Sequence, residues 1–279
     1  MISVIIPVYN EGNVIIKCLD SLSEQTASDI EIIVIDDGST DNLRERIRRF
    51  IIERGNINYI PQKHKGPATA RNHGASFARG DILVFADADM TYKKDFIEKL
   101  INPIELRKCK GTFTKEEYVS NWDNVWARCW NYNQGLPDKR KIPVDYPDTS
   151  PVFRAILKSE FLKVKGFDNI GFTDDWTLSR KLKYQAMVAR EAICFHENPT
   201  DLKEVYKQAR WIGKNEFISG TILRKITSLL RFSVLIQFFR SLLIAARFRE
   251  LGYIIFSFVY YSAVTVSIIF SFFGEEKIK

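Results

Sequence analysis

The stretch Asp81-Ile82-Leu83-Val84-Phe85-Ala86-Asp87-Ala88-Asp89 runs from an apolar block straight into two aspartates one residue apart. The block predicts a strand over 81–86 that ends on the acids. Upstream, Val4-Ile5-Ile6 is a buried-strand run ended by Pro7, and 30–35 and 57–60 are further short strands. Between them, 13–24 is amphipathic, with Val14, Cys18, Leu19 and Leu22 on one helical face. The Arg-rich stretch 43–54 and the stretch 69–78 also read as helices. Strands joined by helices predict an α/β domain with a mostly parallel sheet, whose ligands sit at the carboxyl ends of the strands.

Each of the four strands is followed by a polar cluster: Pro7-Val8-Tyr9-Asn10-Glu11, then Asp36-Asp37-Gly38-Ser39-Thr40-Asp41, then Gly66-Pro67-Ala68-Thr69-Ala70-Arg71-Asn72, and last Asp87-Ala88-Asp89. In a parallel sheet these loops meet on one edge. Carboxylates gathered there repel one another unless a cation or a donor-rich ligand sits among them. Two carboxylates one residue apart suit Mg²⁺ or Mn²⁺ bridging a diphosphate, and with no soft ligands nearby zinc is a poor fit. Singly, each cluster is an ordinary turn or helix cap; their order along the chain carries the weight.

In that order they closely resemble the family 2 glycosyltransferases over residues 2–96. The family has the GT-A fold, depends on nucleotide-sugar donors and inverts the transferred sugar. The resemblance implies that Pro7, Tyr9, Glu11 and Asp37 line a nucleoside pocket, with Asp36 and Asp37 as the family's acidic pair. Arg71 matches an arginine near the nucleotide. Asp87 resembles the residue nearer the ribose and donor sugar, and Asp89 the direct metal ligand, with Asp87 as a second ligand. His196, after a strand expected over 187–195, resembles a position that sometimes completes the metal shell, although a lone histidine is more often structural.

A second segment resembles the family's catalytic-base region: Gly166-Phe167-Asp168, then Phe172-Thr173-Asp174-Asp175-Trp176. The family's pair is Glu-Asp, and here it is Asp174-Asp175. Asp175 matches the base that takes a proton from an acceptor hydroxyl. Asp174 suits the cap of a helix starting near Trp176, with a supporting role on the acceptor side. Further on, Lys207-Gln208-Ala209-Arg210-Trp211 resembles a Gln-x-x-Arg-Trp motif, with Lys207 in the place of its glutamine. Gln208 would support the acceptor, Arg210 would pair with diphosphate oxygens and Trp211 would stack on a sugar. An interfacial helix with its Trp among headgroups reads the same residues equally well. The loop 122–148, rich in Trp, Asn, Tyr and Pro, is expected to set acceptor specificity.

The chain of 279 residues is 46% hydrophobic and 27% charged, a globular balance. Its four cysteines are scattered, which implies neither a disulfide framework nor a zinc knuckle. No signal-peptide pattern precedes Ser3. The net charge of +7 is uneven: residues 201–250 hold ten basic and four acidic side chains, and 251–273 hold none. The first 200 residues contribute only +1, which argues against a nucleic-acid partner. The run 251–273 is long enough to cross a bilayer at ~1.5 Å per residue. The expected organisation is a GT-A domain over 1–200, basic interfacial helices over 201–250 and one transmembrane helix over 251–273. The stretch 232–246, broken by Arg240, reads as one of two short interfacial helices, or as a buried hairpin. Basic residues before the span put the catalytic domain on the cytoplasmic side.

These readings converge on transfer of a sugar from a UDP- or GDP-sugar to a hydroxyl of a membrane-associated, lipid-linked acceptor, with a divalent cation. A polyprenyl-phosphate acceptor is the alternative, since an ionised phosphate needs no base. A non-catalytic membrane subunit would show a broken acidic motif, and none is broken apart from Asp174 replacing Glu.

Overall fold

The computed structural model describes residues 1–170, 174–217 and 222–272. Phe172 and Thr173, and the end of the expected span at Phe273 with the tail 274–279, lie outside the described residues. The expected strands are present as β1 (Ile2–Val8), β2 (Ile30–Asp36), β3 (Ile57–Pro61) and β4 (Ile82–Phe85). The helices between them are α1 (Ile15–Ser23), α2 (Leu43–Arg54) and α3 (Pro67–Phe77). β1 pairs in parallel with both β2 and β4, and β2 with β3. Period-two alternation splits the strand residues between two cores: Val4, Ile6, Ile32 and Val34 face one, and Ile5, Ile33, Ile35, Leu83 and Phe85 the other.

β1 does not stop at Pro7: the strand runs through it, and Pro7 pairs with Ile35. The β4 register ends at Ile5, whose carbonyl accepts from Ala86 N, and alternation turns the nitrogen of Pro7 to that same side. The ladder needs no donor there, so the proline costs nothing.

After β4 come β5 (Met90–Tyr92), α4 (Phe96–Glu105), β6 (Gly111–Phe113), β7 (Glu117–Val119), α5 (Val125–Asn133), β8 (Thr149–Ser150), β9 (Ala155–Leu157), α6 (Lys158–Lys163), α7 (Trp176–Leu182), β10 (Ala186–Val188) and β11 (Cys194–His196). The eight-stranded sheet has the order β3-β2-β1-β4-β9-β6-β10-β8. β9 is antiparallel to both β4 and β6, so the sheet is mixed beyond β4. A three-stranded sheet has the order β5-β11-β7. The single strand expected over 187–195 is two strands. The chain turns between them at Glu191, with φ of 66°, and β10 joins the large sheet while β11 joins the small one.

The C-terminal helices are α8 (Leu202–Phe217), α9 (Ile222–Arg231), α10 (Val234–Phe248) and α11 (Gly252–Phe272). Among the described residues, the arginine-bearing stretch 222–248 forms two helices, α9 and α10, and α8 precedes them. The chain forms two compact units: Met1–Tyr118 with Ile142–His196, and Val119–Lys141 with Glu197–Lys279. Part of the expected loop 122–148 is the helix α5. Asn124 caps it by accepting from the backbone N–H of Trp126 and Ala127, and its Cys129, Trp130 and Tyr132 are buried in the second unit's core.

The close approach of α3 to the large sheet sets the height of Arg71 over the strand ends. Gly74 makes that approach possible: a Cβ there would lie 2.5 Å from Ile5 Cγ2 and 3.2 Å from Ile35 Cγ1. Gly74→Ala gains about 1 kcal/mol of helix propensity, but the overpacking costs ~1–3 kcal/mol and has no flexible chain end to absorb it. Urea denaturation should therefore show a net loss of stability. A variant as stable as the parent would mean that α3 is not held this tightly.

Candidate functional site

The strand order reverses at β1, with β2 on one side and β4 on the other, which opens a crevice at the carboxyl ends. The loops after β1 and β2 are laced together there. Thr40 N donates to Asn10 Oδ1 at 2.7 Å, and Gly12 N to Asp41 Oδ2 at 2.8 Å. Asp36 accepts from Ser39 N at 2.7 Å and from the Tyr59 hydroxyl. Asp37, 2% exposed, accepts from Gln62 Nε2, Lys65 N and Gly66 N at 2.6–2.9 Å and faces His64 Nδ1 at 2.9 Å. The acidic pair thus shapes the rim, fixing the β3–α3 loop at the start of α3. Tyr9 packs its ring against His64 with centroids 4.2 Å apart. His64 and Gln62 carry no motif of their own, so sequence reasoning passes over them.

Asp87 lies between two arginines. Its Oδ1 accepts from Arg71 Nη2 at 2.9 Å and its Oδ2 from Arg154 Nη1 at 2.6 Å. Burial pushes the Asp87 carboxyl up, but Arg154 and Arg71 overcome it and hold the group well below the usual carboxylate range. Burial likewise opposes the charge on Arg71, and Asp87 and Asp174 more than offset it. With both oxygens taken, Asp87 is less available to a cation than the Asp-x-Asp pattern implies, and Asp89 would meet one first. Arg154 was not legible in the sequence, because a lone arginine ahead of a short strand signals nothing.

The acidic pair just before α7 faces the same group. Asp174 Oδ1 stands 3.7 Å from Arg71 Nη1. Its side chain does not cap α7, which begins instead with its backbone carbonyl accepting from Thr177 N at 3.1 Å. Burial pushes the Asp174 carboxyl up to about 6, with Arg71 pulling it down and Asp175 raising it further. Asp175 is also raised, by burial above all, with Arg71 and Arg154 opposing. Its Oδ1 is buried and has no hydrogen-bond partner among the described residues.

On the other side of Asp87, Asp89 Oδ2 lies 3.2 Å from His196 Nε2, and His196 Nδ1 lies 3.1 Å from Glu117 Oε1. An ionised Glu117 only accepts, so the ring would meet it with its Nδ1–H. Nε2 then meets Asp89 either as a second N–H or as a lone pair that a cation can take. Glu11 is pushed up to about 8, by burial first and then by the charges of Asp89 and Asp87. Among the described residues no three His, Cys, Asp or Glu side chains stand as a ready-made cage. One carboxylate and one imidazole backed by a second carboxylate do fit Mg²⁺ or Mn²⁺, which fill their remaining positions with water and substrate oxygens.

The pattern of glycosyl transferase family 2 matches residues 3–161, more than half of the chain. The chain belongs to glycosyltransferase family 2. It is 37% identical over 106 residues to the glycosyltransferase GlyG of Streptococcus pneumoniae serotype 4, a match that covers 38% of this chain and 35% of that protein. It is 38% identical over 106 residues to the glycosyltransferase AglE of Haloferax volcanii, covering 37% of this chain and 35% of that one. The match therefore spans about a third of each relative. The fold of this family 2 glycosyltransferase is that of the GT-A neighbours. The mannosyltransferase PcManGT from Pyrobaculum calidifontis, solved with GDP-Man and Mn²⁺, superposes with a TM-score of 0.60 at 17% identity, over 96% of this chain and 86% of that one. S. aureus TarS 1-349, solved with UDP-GlcNAc, gives 0.57 at 18% identity, over 77% and 66% of the two chains.

Of the site residues expected in this glycosyltransferase, Glu11, Arg71, Asp87, Asp89, Asp174, Asp175 and His196 interact within the first unit. Gln208, Arg210 and Trp211 lie on α8 in the second unit. There Gln208 and Trp211 are exposed, and the Arg210 guanidinium lies over the Phe270 ring at 5.2 Å.

The raised Asp174 has a consequence for stability. Its folded pKa of about 6 lies above the unfolded 3.8, so the folded chain keeps a proton that the unfolded chain releases between those values. Stability therefore falls as pH rises from about 4 through about 6, by at most about 3 kcal/mol. Asp174→Asn should raise Tm at pH 7.5 and lose that advantage at pH 4. A gain independent of pH, or a loss at pH 7.5, would contradict a burial cost at Asp174 that exceeds what Arg71 returns.

Proposed function

We propose that the chain is an inverting, metal-dependent glycosyltransferase that moves a sugar from a nucleoside-diphosphate donor to a hydroxyl of a membrane-associated, lipid-linked acceptor. Asp175 carries this reading. A carboxylate with a buried, unpartnered oxygen, raised toward neutrality and set beside the Arg71–Asp87–Arg154 cluster, is what deprotonating a hydroxyl requires.

In this reading Pro7, Tyr9 and Glu11 border the nucleoside, and Asp36 and Asp37 hold the surrounding loops in shape. The GDP-Man and UDP-GlcNAc in the GT-A neighbours support a donor of the GDP- or UDP-sugar type. Arg71, kept charged by Asp87 and Asp174, offers its guanidinium to the diphosphate. A divalent cation at Asp89 and His196 would offset the charge of the departing nucleoside diphosphate. Asp175 accepts the proton of the acceptor hydroxyl as its oxygen attacks the anomeric carbon. The bond to the diphosphate oxygen breaks on the opposite face, and a single displacement inverts the configuration.

Membrane association is supported by the second unit. α11 is, among the described helices, the one long and apolar enough to cross a membrane, with mean hydropathy 1.9 over Gly252–Phe270. α10 is polar inside and apolar outside: Gln237, Ser241 and Ala245 are its buried residues, while Leu235, Phe239 and Leu243 are exposed. A water-facing helix reverses that order, and helices surrounded by lipid adopt it. Ser267 packs closely on Gly213 and donates to the Arg210 carbonyl at 2.9 Å, the small-residue contact that such bundles use. The arginines that flank this apolar surface favour the cytoplasmic face.

Asp175→Asn should lower kcat for transfer to a membrane lipid extract by ~10²–10⁴-fold, with KM for the donor nearly unchanged. Nucleoside-diphosphate release from each candidate sugar donor measures it. Retained turnover would point to an acceptor that is already ionised, such as a polyprenyl phosphate.

A further inference from the structure

The two aspartates of Asp87-Ala88-Asp89 stand in unlike surroundings, and a chain of side chains connects them. Arg154 Nη1 reaches Asp87 Oδ2 at 2.6 Å, and Arg154 Nη2 reaches Glu117 Oε2 at 3.2 Å. The other oxygen of Glu117 faces His196 Nδ1 at 3.1 Å, and His196 Nε2 faces Asp89 at 3.2 Å. The backbone builds this chain from both sheets. In the small sheet β11 lies between β5 and β7. His196 pairs with Met90, next to Asp89, while Glu117 sits on β7 at the other flank of β11. In the large sheet Arg154 bridges β4 and β6, its carbonyl accepting from Phe85 N and its N–H donating to Thr112 O, both at 2.8 Å. That position places it beside the end of β4, where Asp87 begins. Glu117 is only 7% exposed, and a buried carboxylate would be costly if its two oxygens were not divided between a guanidinium and an imidazole.

We infer that Glu117 and Arg154 are positioning residues that assign the two aspartates their separate tasks. Arg154 draws Asp87 into a charge pair within the protein. Glu117 fixes the His196 ring with Nε2 toward Asp89, so that one carboxylate and one imidazole remain for a divalent cation. Arg154 and Glu117 touch neither cation nor donor; each acts through its neighbour. The inference rests on the metal reading proposed above.

Calorimetric titration of Mn²⁺ alone into the full chain separates the two. The wild type should bind Mn²⁺. Glu117→Gln keeps the volume but removes the charge that orients His196, and should weaken Mn²⁺ by ~10–100-fold. Glu117→Asp should recover part of that loss. In a His196→Ala background Glu117→Gln should add less than about twofold, because the residue it acts through is gone. A wild type that does not bind Mn²⁺ overturns the metal reading and the inference with it. A wild type that binds, with Glu117→Gln binding equally well or with the two substitutions additive, overturns the inference alone.

Discussion

The carboxylates of Glu11, Asp87, Asp89, Asp174 and Asp175 gather at the carboxyl edge of one sheet, and their mutual repulsion is the constraint around which the rest of the site is arranged. Arg71 and Arg154 neutralise Asp87 and lie near the α7 pair. That leaves Glu11 and Asp174 pushed up, and Asp175 with a bare oxygen. A fold selected for stability alone would not keep such a site. A binding protein for a cation and an anionic donor has reason to, because the ligand supplies the missing charge.

Burial does most of this work, and it follows from the strands. β1, β2 and β4 are apolar on both faces, so helices must cover both sides, and the loops at the strand ends are the places left for polar residues. α3 lies tightly on the sheet through Gly74, which carries Arg71 over those ends. The small sheet adds the second wall, bringing Glu117 and His196 up to Asp89. A close-packed helix and a short second sheet thus bring Arg71, Glu117 and His196 to the first unit's site.

The first four strands and three helices were legible in the sequence because each is a strong local pattern in the order of a parallel sheet. The acidic loops were legible because each follows a strand end. Less visible was what long-range packing decides. Pro7 continues β1 because the neighbouring ladder has already ended. The strand expected over 187–195 divides at Glu191, since its two halves serve different sheets. Arg154 and Glu117 have no motif and acquire meaning only from what they touch. Asp174, read locally as a helix cap, is engaged by Arg71 on α3. In the second unit the apolar exterior of α10 was hidden by Arg240, which interrupts the run in sequence but leaves the exposed apolar side chains intact.

In the proposed function this acidic edge binds a nucleoside diphosphate together with a divalent cation. Titration calorimetry of UDP and GDP into the full chain, with and without Mn²⁺, tests it most directly. At least one of them should bind, and Mn²⁺ should tighten it by at least about tenfold, some 1.4 kcal/mol. Binding of neither nucleotide, or binding indifferent to the cation, would contradict it.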